Sequence, residues 1–487
     1  MMGLKRYFLL MVLFGTVLRS EAKVLLPQIL SSNMVLQRDK PLNIWGFAAA
    51  GEVVTVSFAG QVKQTITDAD GKWKVVLTPL KTSDIPAKMT IQGTNTIILD
   101  NILVGEVWLC SGQSNMEYAM RKIAKVKKPL KEKPGYPVDE LEKAHNTQIR
   151  IFLVNRKELS KPDSIHKSWN IAQDSALKNF SAAGYFFAKE LQEKLNVPIG
   201  MISSAVSGSP IEPWVPQESF QIGYFKDQKV GNDPGKFYKP MIEPLTPFAL
   251  RGFLWYQGET NCFLKENISY SYKMKALINS WRSAWTKASG LQNAELPFYY
   301  VQIAPFNYST AKGKVVLDEQ TEPEFWEAQT QLLRMPNTGI VVTTDLNDYP
   351  DDLHPTYKWE IGRRLALWAL TNDYGHKLTF SGPIYKAVTF KGGKAELEFE
   401  HIGQGLVSAD GKALDCFTIA GADGRFVPAD AVIKGNKIIV SGKGLKKPVA
   451  VRFGFNETMR PNLYNKDGLP ALPFRTDNPL TKQFKPI

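Results

Sequence analysis

Four short stretches carry residue types that could do chemistry together. Ser111-Gly112-Gln113-Ser114-Asn115-Met116 follows the apolar run Val107-Trp108-Leu109-Cys110. A serine at a strand-to-helix turn stands at a helix N-terminus, where unpaired backbone N–H groups can stabilise a developing anion. The nucleophile elbow of α/β-hydrolases requires G-x-S-x-G. Met116 occupies the last of those positions, so that motif is absent. Asp351-Asp352-Leu353-His354-Pro355 places carboxylates three and two residues before one of five histidines. A carboxylate beside an imidazole fixes its tautomer and stabilises the imidazolium formed when it takes a proton.

The other two stretches offer donors. In Tyr256-Gln257-Gly258-Glu259-Thr260-Asn261, the Asn261 side chain could hydrogen-bond an oxyanion. In Ser207-Gly208-Ser209-Pro210-Ile211-Glu212-Pro213-Trp214, Gly208 could offer a bare backbone N–H. Taken singly, each stretch also fits a plain turn, with Ser114 a helix cap and His354 a packing residue.

The elements around them explain how the four could meet. Apolar runs at Val107–Cys110, Val197–Ile202, Gly252–Tyr256 and Gly339–Val342 alternate with helical patterns. One helix is capped by Ser181 and repeats Phe187, Leu191 and Leu195. Another opens at Pro355 and carries Trp359, Ile361, Leu365 and Trp368. Alternating β and α predicts a parallel sheet with helices on both faces over 104–374. Polar groups then collect beyond the carboxyl ends of its strands. Before it, over 23–103, Val54, Val56 and Phe58 alternate with polar residues and Asp70-Gly71 marks a turn, which predicts a β-sandwich. After it, over 375–487, the alternation Ala395 to Glu400 and the turns at Asp423-Gly424 and Gly435-Asn436 predict a second β domain.

At the start, Lys5 and Arg6 precede an apolar run from Tyr7 to Leu18, and Ser20-Glu21-Ala22 supplies small residues for cleavage. Residues 1–22 therefore read as a signal peptide, and the mature chain as secreted or periplasmic and not membrane-inserted. The three cysteines imply no disulfide framework, although a Cys110–Cys262 bridge stays open. Neither a CxxC nor an HExxH spacing occurs, so no metal site or cofactor is implied. The composition, 44% hydrophobic with 22% charged residues, excludes a disordered chain.

The net charge is +13. Much of it lies in one segment, Arg121 to Lys133, with seven basic residues against Glu132. Such a local cluster, without a basic stripe interleaved with aromatics, argues against nucleic acid. It is either a solvated loop or the rim of a site that favours an acidic sugar.

Together the motifs resemble those of the SGNH hydrolase superfamily and, within it, the sialate O-acetylesterase family. The resemblance runs through Val104 to Met116, Trp255 to Asn261, Ile211-Glu212-Pro213-Trp214 and Asp352-Leu353-His354-Pro355. It extends to Val35-Leu36-Gln37-Arg38, Ile44-Trp45-Gly46, Asn462 to Asn465, Gly468 to Ala471 and Pro473 to Asp477. It implies an α/β esterase acting without a cofactor on O-acetylated carbohydrate. Ser114 would be the nucleophile and His354 the base. The Ser114 and Gly208 N–H groups with the Asn261 side chain would form the oxyanion hole. The superfamily spacing D-x-x-H selects Asp351 as the carboxylate, with Asp352 as the alternative. Gln113, Gln257 and Glu259 would position substrate or order the loop. Ser207 departs from the family pattern, which carries a glycine there. Acetylated plant polysaccharides are an alternative substrate, and a non-catalytic glycan-binding protein is an alternative of another class.

Overall fold

The computed structural model describes residues 23–123, 137, 139–154, 168–290 and 295–486. The proposed signal peptide and Lys125–Lys133 of the basic segment lie outside the described residues.

The site is organised by one long strand, Thr96–Gly112. Its first half pairs antiparallel with Ser83–Gln92 in the N-terminal β region. Its second half, buried on both faces, is a central strand of the parallel sheet. Continuous apolar sequence is what a strand covered on both faces requires. The sequence boundary at 103/104 therefore falls inside a strand, with no linker.

The parallel sheet runs in the order Thr338–Val341, Phe298–Val301, Gly252–Tyr256, Thr96–Gly112, Ile199–Ala205, Ile149–Leu153, and Asn170–Ile171 closes one edge antiparallel. Chain order and spatial order part company at the Thr96–Gly112 strand. Ile199–Ala205 lies on one side of it and Gly252–Tyr256 on the other. Such a reversal opens a crevice beyond the strand ends. Helix Ala182–Leu195 packs on this sheet and on helix Lys358–Asn372. Its start is set by Ser181, whose Oγ accepts the Gly184 N–H at 3.1 Å. The latter helix begins at Lys358, three residues after Pro355, where the sequence pattern places its start.

The N-terminal region holds a two-stranded sheet, Leu42–Phe47 with Lys72–Leu77, beside the strands that join Thr96–Gly112. Val54, Val56 and Phe58 point into its core, as their alternation requires. The region is fastened at Glu106, a buried carboxylate that takes Arg38 Nε at 2.5 Å, Gln37 Nε2 at 3.0 Å, Arg251 Nε and Nη2 at 2.9 Å each and Tyr374 Oη at 3.0 Å. The C-terminal region forms two four-stranded sheets and a two-stranded pair around Leu397, Ile419, Val440 and Phe453. Arg475 ties it to the parallel-sheet domain through two 2.8 Å bonds to the Glu327 carboxylate.

Cys110 and Cys262 are separate buried thiols, so the bridge left open by the sequence is not formed. No helix among the described residues is long and apolar enough to cross a membrane.

Candidate active site

Ser114 is the first residue of a short helix, Ser114–Glu117, that starts directly beyond the Thr96–Gly112 strand. Gly112 makes this turn possible. Its φ is +138°, and a Cβ there would sit 2.1 Å from the Tyr256 carbonyl oxygen. Ser114 Oγ lies 3.0 Å from His354 Nε2. His354 reaches it from the far side of the sheet, on the loop that follows the edge strand Thr338–Val341. Three strand spacings, about 14 Å, separate those two strand ends, and the 342–357 loop closes that gap.

The carboxylate behind the histidine is Asp352. Its Oδ1 accepts the His354 backbone N–H at 2.9 Å and lies 3.5 Å from His354 Nδ1. Asp351, which the D-x-x-H spacing selects, turns away and accepts a bond from Asn307 Nδ2. The reason is local: the Asp352 N–H closes a turn onto the Tyr349 carbonyl, and Asp352 itself accepts the N–H two residues on. A contact of 3.5 Å is long for an Asp–His bond, although such bonds tighten when substrate binds. Asp352 is open to solvent and the His354 ring is half-buried, with side-chain exposures of 58% and 36%. Burial of the ring, then the neighbouring Lys358 ammonium, holds the His354 pKa below its usual 6.5.

The Ser207-Gly208 loop follows strand Ile199–Ala205, and Gly208 takes a φ of +72°. Ser207 is latched to the nucleophile helix, its N–H and Oγ both bonding Glu117 Oε2, at 2.8 and 2.5 Å. That latch uses the hydroxyl that a glycine at position 207 would lack.

Gln257 and Asn261 brace this loop from beneath. Gln257 Nε2 donates to the Ser209 carbonyl at 3.2 Å, Thr260 Oγ1 to the Gly208 carbonyl at 3.2 Å, and the Ile211 N–H to Asn261 Oδ1 at 3.0 Å. Asn261 is fully buried. Its Nδ2 donates to Glu212 Oε2 at 3.3 Å, its Oδ1 also accepts Gln257 Nε2 at 2.8 Å, and the Glu266 carboxylate lies nearby. Lys273 neutralises both carboxylates, at 2.8 and 2.6 Å. As placed, the Asn261 amide is engaged inside the protein. Gln113 Oε1 gathers Gln257 Nε2, the Gly258 N–H and the Thr260 N–H at 3.1 to 3.5 Å.

Glu259 lies wholly buried beneath the serine and bonds Asn115 Nδ2 at 2.5 Å. Burial pushes its pKa up. Three residues close to the site were not singled out by sequence: Asn115, Glu117 and Lys358. Asn115 and Glu117 lie within three residues of the serine in the chain, and Lys358 stands four residues after His354. Of the basic segment, Lys122 lies with its Nζ 4.9 Å from the Tyr118 ring centre, and Arg121 bonds Asn179.

A parallel sheet that aligns a serine, a histidine and an aspartate at its strand ends, with a glycine loop beside the serine, defines an α/β hydrolase of the SGNH type. Comparison with known proteins carries this further. The family profile for carbohydrate esterases, sialic acid-specific acetylesterases, matches residues 104–371. Rat and human sialate O-acetylesterases are each 30% identical, over 73% and 77% of this chain and 74% and 76% of their own. A carbohydrate acetylesterase from Xanthomonas citri superposes with a TM-score of 0.81 at 36% identity, covering 94% of this chain and all of that one. The chain belongs to the carbohydrate esterase, sialic acid-specific acetylesterase family, and is a carboxylic ester hydrolase.

Proposed function

We propose that this protein hydrolyses O-acetyl esters on glycans, with O-acetylated sialic acid as its first substrate, through a covalent acetyl-serine. The observation that carries the reading is the 3.0 Å contact of Ser114 Oγ with His354 Nε2, backed by Asp352. Ser114 Oγ attacks the acetyl carbonyl carbon while its proton passes to His354 Nε2. The negative charge moves to the carbonyl oxygen, opposite the N–H groups of Ser114 and Gly208. Thr260 and Asn261 brace the loop that carries Gly208, through the Gly208 carbonyl and the Ile211 N–H. The carbon–oxygen bond to the sugar then breaks, and the imidazolium gives its proton to the departing sugar oxygen. Water, deprotonated by the same imidazole, attacks the acetyl-serine and releases acetate. Asp352 stabilises the imidazolium in both halves.

Two features favour a bulky alcohol as leaving group. Asp352 is open to solvent, His354 is partly so, and the serine stands at a strand end. The export read from residues 1–22 fits an extracellular glycan.

Acetate release is to be measured on 9-O-acetylated sialic acid and on acetylated xylan, xyloglucan and pectin oligosaccharides. Preferential turnover of the sialic acid supports the reading. Turnover of the plant oligosaccharides alone moves the substrate to that class. Glycan binding without acetate release from any ester supports a non-catalytic role.

A further inference from the structure

Beneath the serine and histidine lies a buried polar cluster that the reaction scheme does not use. Lys358, the first residue of helix Lys358–Asn372, is 0% exposed. Its Nζ donates to Asn115 Oδ1 at 2.6 Å and sits 4.9 Å from the ring centres of both Tyr118 and Tyr256. Asn115 spends its other end on two acceptors, Glu259 Oε1 at 2.5 Å and the Leu353 carbonyl at 3.0 Å. Asn115 follows the nucleophile and Leu353 precedes the histidine. One amide therefore spans the junction between the serine turn and the histidine loop, and Lys358 fixes which way round that amide lies.

The placement is unfavourable for stability alone. A helix N-terminus repels cations, and burying an ammonium costs several kcal/mol unless it is well paired. Glu259 Oε2 and the Tyr256 hydroxyl, both near this cluster, are buried without a hydrogen-bond partner. The cluster is thus incompletely satisfied, which is the pattern expected where charge serves a site and not the fold.

We infer that Lys358 is a positioning residue for the esterase reaction: through Asn115 it fixes the serine turn against the histidine loop, and it places a buried amine beside the Ser114–His354 pair. The inference rests on the roles given above to Ser114 and His354. The charged groups that face Lys358 are Glu259, Asp352 and Lys122, and those that face His354 are Lys358, Asp352 and Lys122. Burial lowers the Lys358 pKa to about 7. The Lys358 charge is among the causes that hold the His354 pKa below its ordinary value.

The experiment is the pH profile of kcat/KM for an aryl acetate, compared between the wild type, Lys358→Gln and Lys358→Met, with circular dichroism as a check on folding. Lys358→Gln keeps a donor for Asn115 but removes the charge. Its acid limb is expected to move to higher pH by about half to one unit, with KM near that of the wild type. Lys358→Met also removes the donor, and its plateau kcat is expected to fall by about tenfold more. An unmoved acid limb in Lys358→Gln overturns the inference. Unfolding of both variants overturns it too, because it assigns Lys358 to the fold alone. Ser114→Ala in the same series separates the two layers. Retained turnover there rejects the serine mechanism itself, whereas a dead Ser114→Ala beside an unmoved limb rejects only the role of Lys358.

Discussion

His354 Nε2 meets Ser114 Oγ at 3.0 Å across 240 positions of sequence and three strand spacings of the sheet. The nucleophile sits on a strand near the centre and the base on a loop from the edge. The 342–357 loop must therefore hold its shape for the pair to exist, and Asp352 is part of that shape.

The two adjacent aspartates are expected to behave very differently. Asp352→Asn removes the charge beside His354 and is expected to lower kcat by about 10- to 100-fold, less than for a fully buried triad acid because Asp352 is half open to water. Asp351→Asn keeps a side chain able to bond Asn307 and is expected to leave kcat/KM within about twofold. Steady-state kinetics on an aryl acetate measure both. A larger loss from Asp351→Asn reverses the assignment.

The pH dependence follows from the direction of the His354 shift. Attack requires the neutral ring, and burial with the Lys358 charge holds the pKa below 6.5. The acid limb of kcat/KM is therefore expected to have its midpoint below pH 6.5, with activity rising as pH increases and already near its plateau at neutrality. A midpoint above 6.5 contradicts the environment described for the ring.

Glu117 is expected to matter through the oxyanion loop. Its carboxylate holds Ser207 by two bonds, so Glu117→Ala frees the segment that carries Gly208. The expected result is a fall in kcat of about tenfold or more with KM little changed, since the loss falls on the transition state. A rise in KM at constant kcat would assign Glu117 to substrate binding instead.

Glu106 fastens the N-terminal region where the central strand enters the parallel sheet. Glu106→Ala strands Arg38 and Arg251 without their shared carboxylate. The expected cost is about 3 kcal/mol, seen as a lower midpoint in chemical denaturation. An unchanged midpoint shows that the N-terminal region is held elsewhere.

Much of this architecture is legible in the sequence because buried parallel strands are written as apolar runs. Val107–Cys110 and Gly252–Tyr256 each end in a polar motif at the crevice, and Ser181 marks its helix by a simple cap. What the sequence leaves open depends on distant partners or on loop shape. Asp351 fits the spacing, yet the turn closed by Tyr349 and Asp352 brings the nearer aspartate to the ring. Asn261 has the right chemistry for an oxyanion, but Glu212, Gln257 and the Ile211 N–H engage its amide, and no local pattern announces those partners. The boundary at 103/104 reads as a change of composition, while the chain crosses it within one strand. Lys358 looks like an ordinary surface lysine until the fold places Asn115 and two tyrosine rings around it.

The most direct test of the central claim is the site of acetylation. The protein is mixed with an excess of aryl acetate, quenched in acid within the first turnovers, digested and mapped by mass spectrometry. An acetyl group is expected on the peptide containing Ser114, localised to that residue and missing in Ser114→Ala, which also fails to release acetate. An enzyme that turns over the ester with no acetyl-Ser114, and that keeps its rate in Ser114→Ala, contradicts that claim.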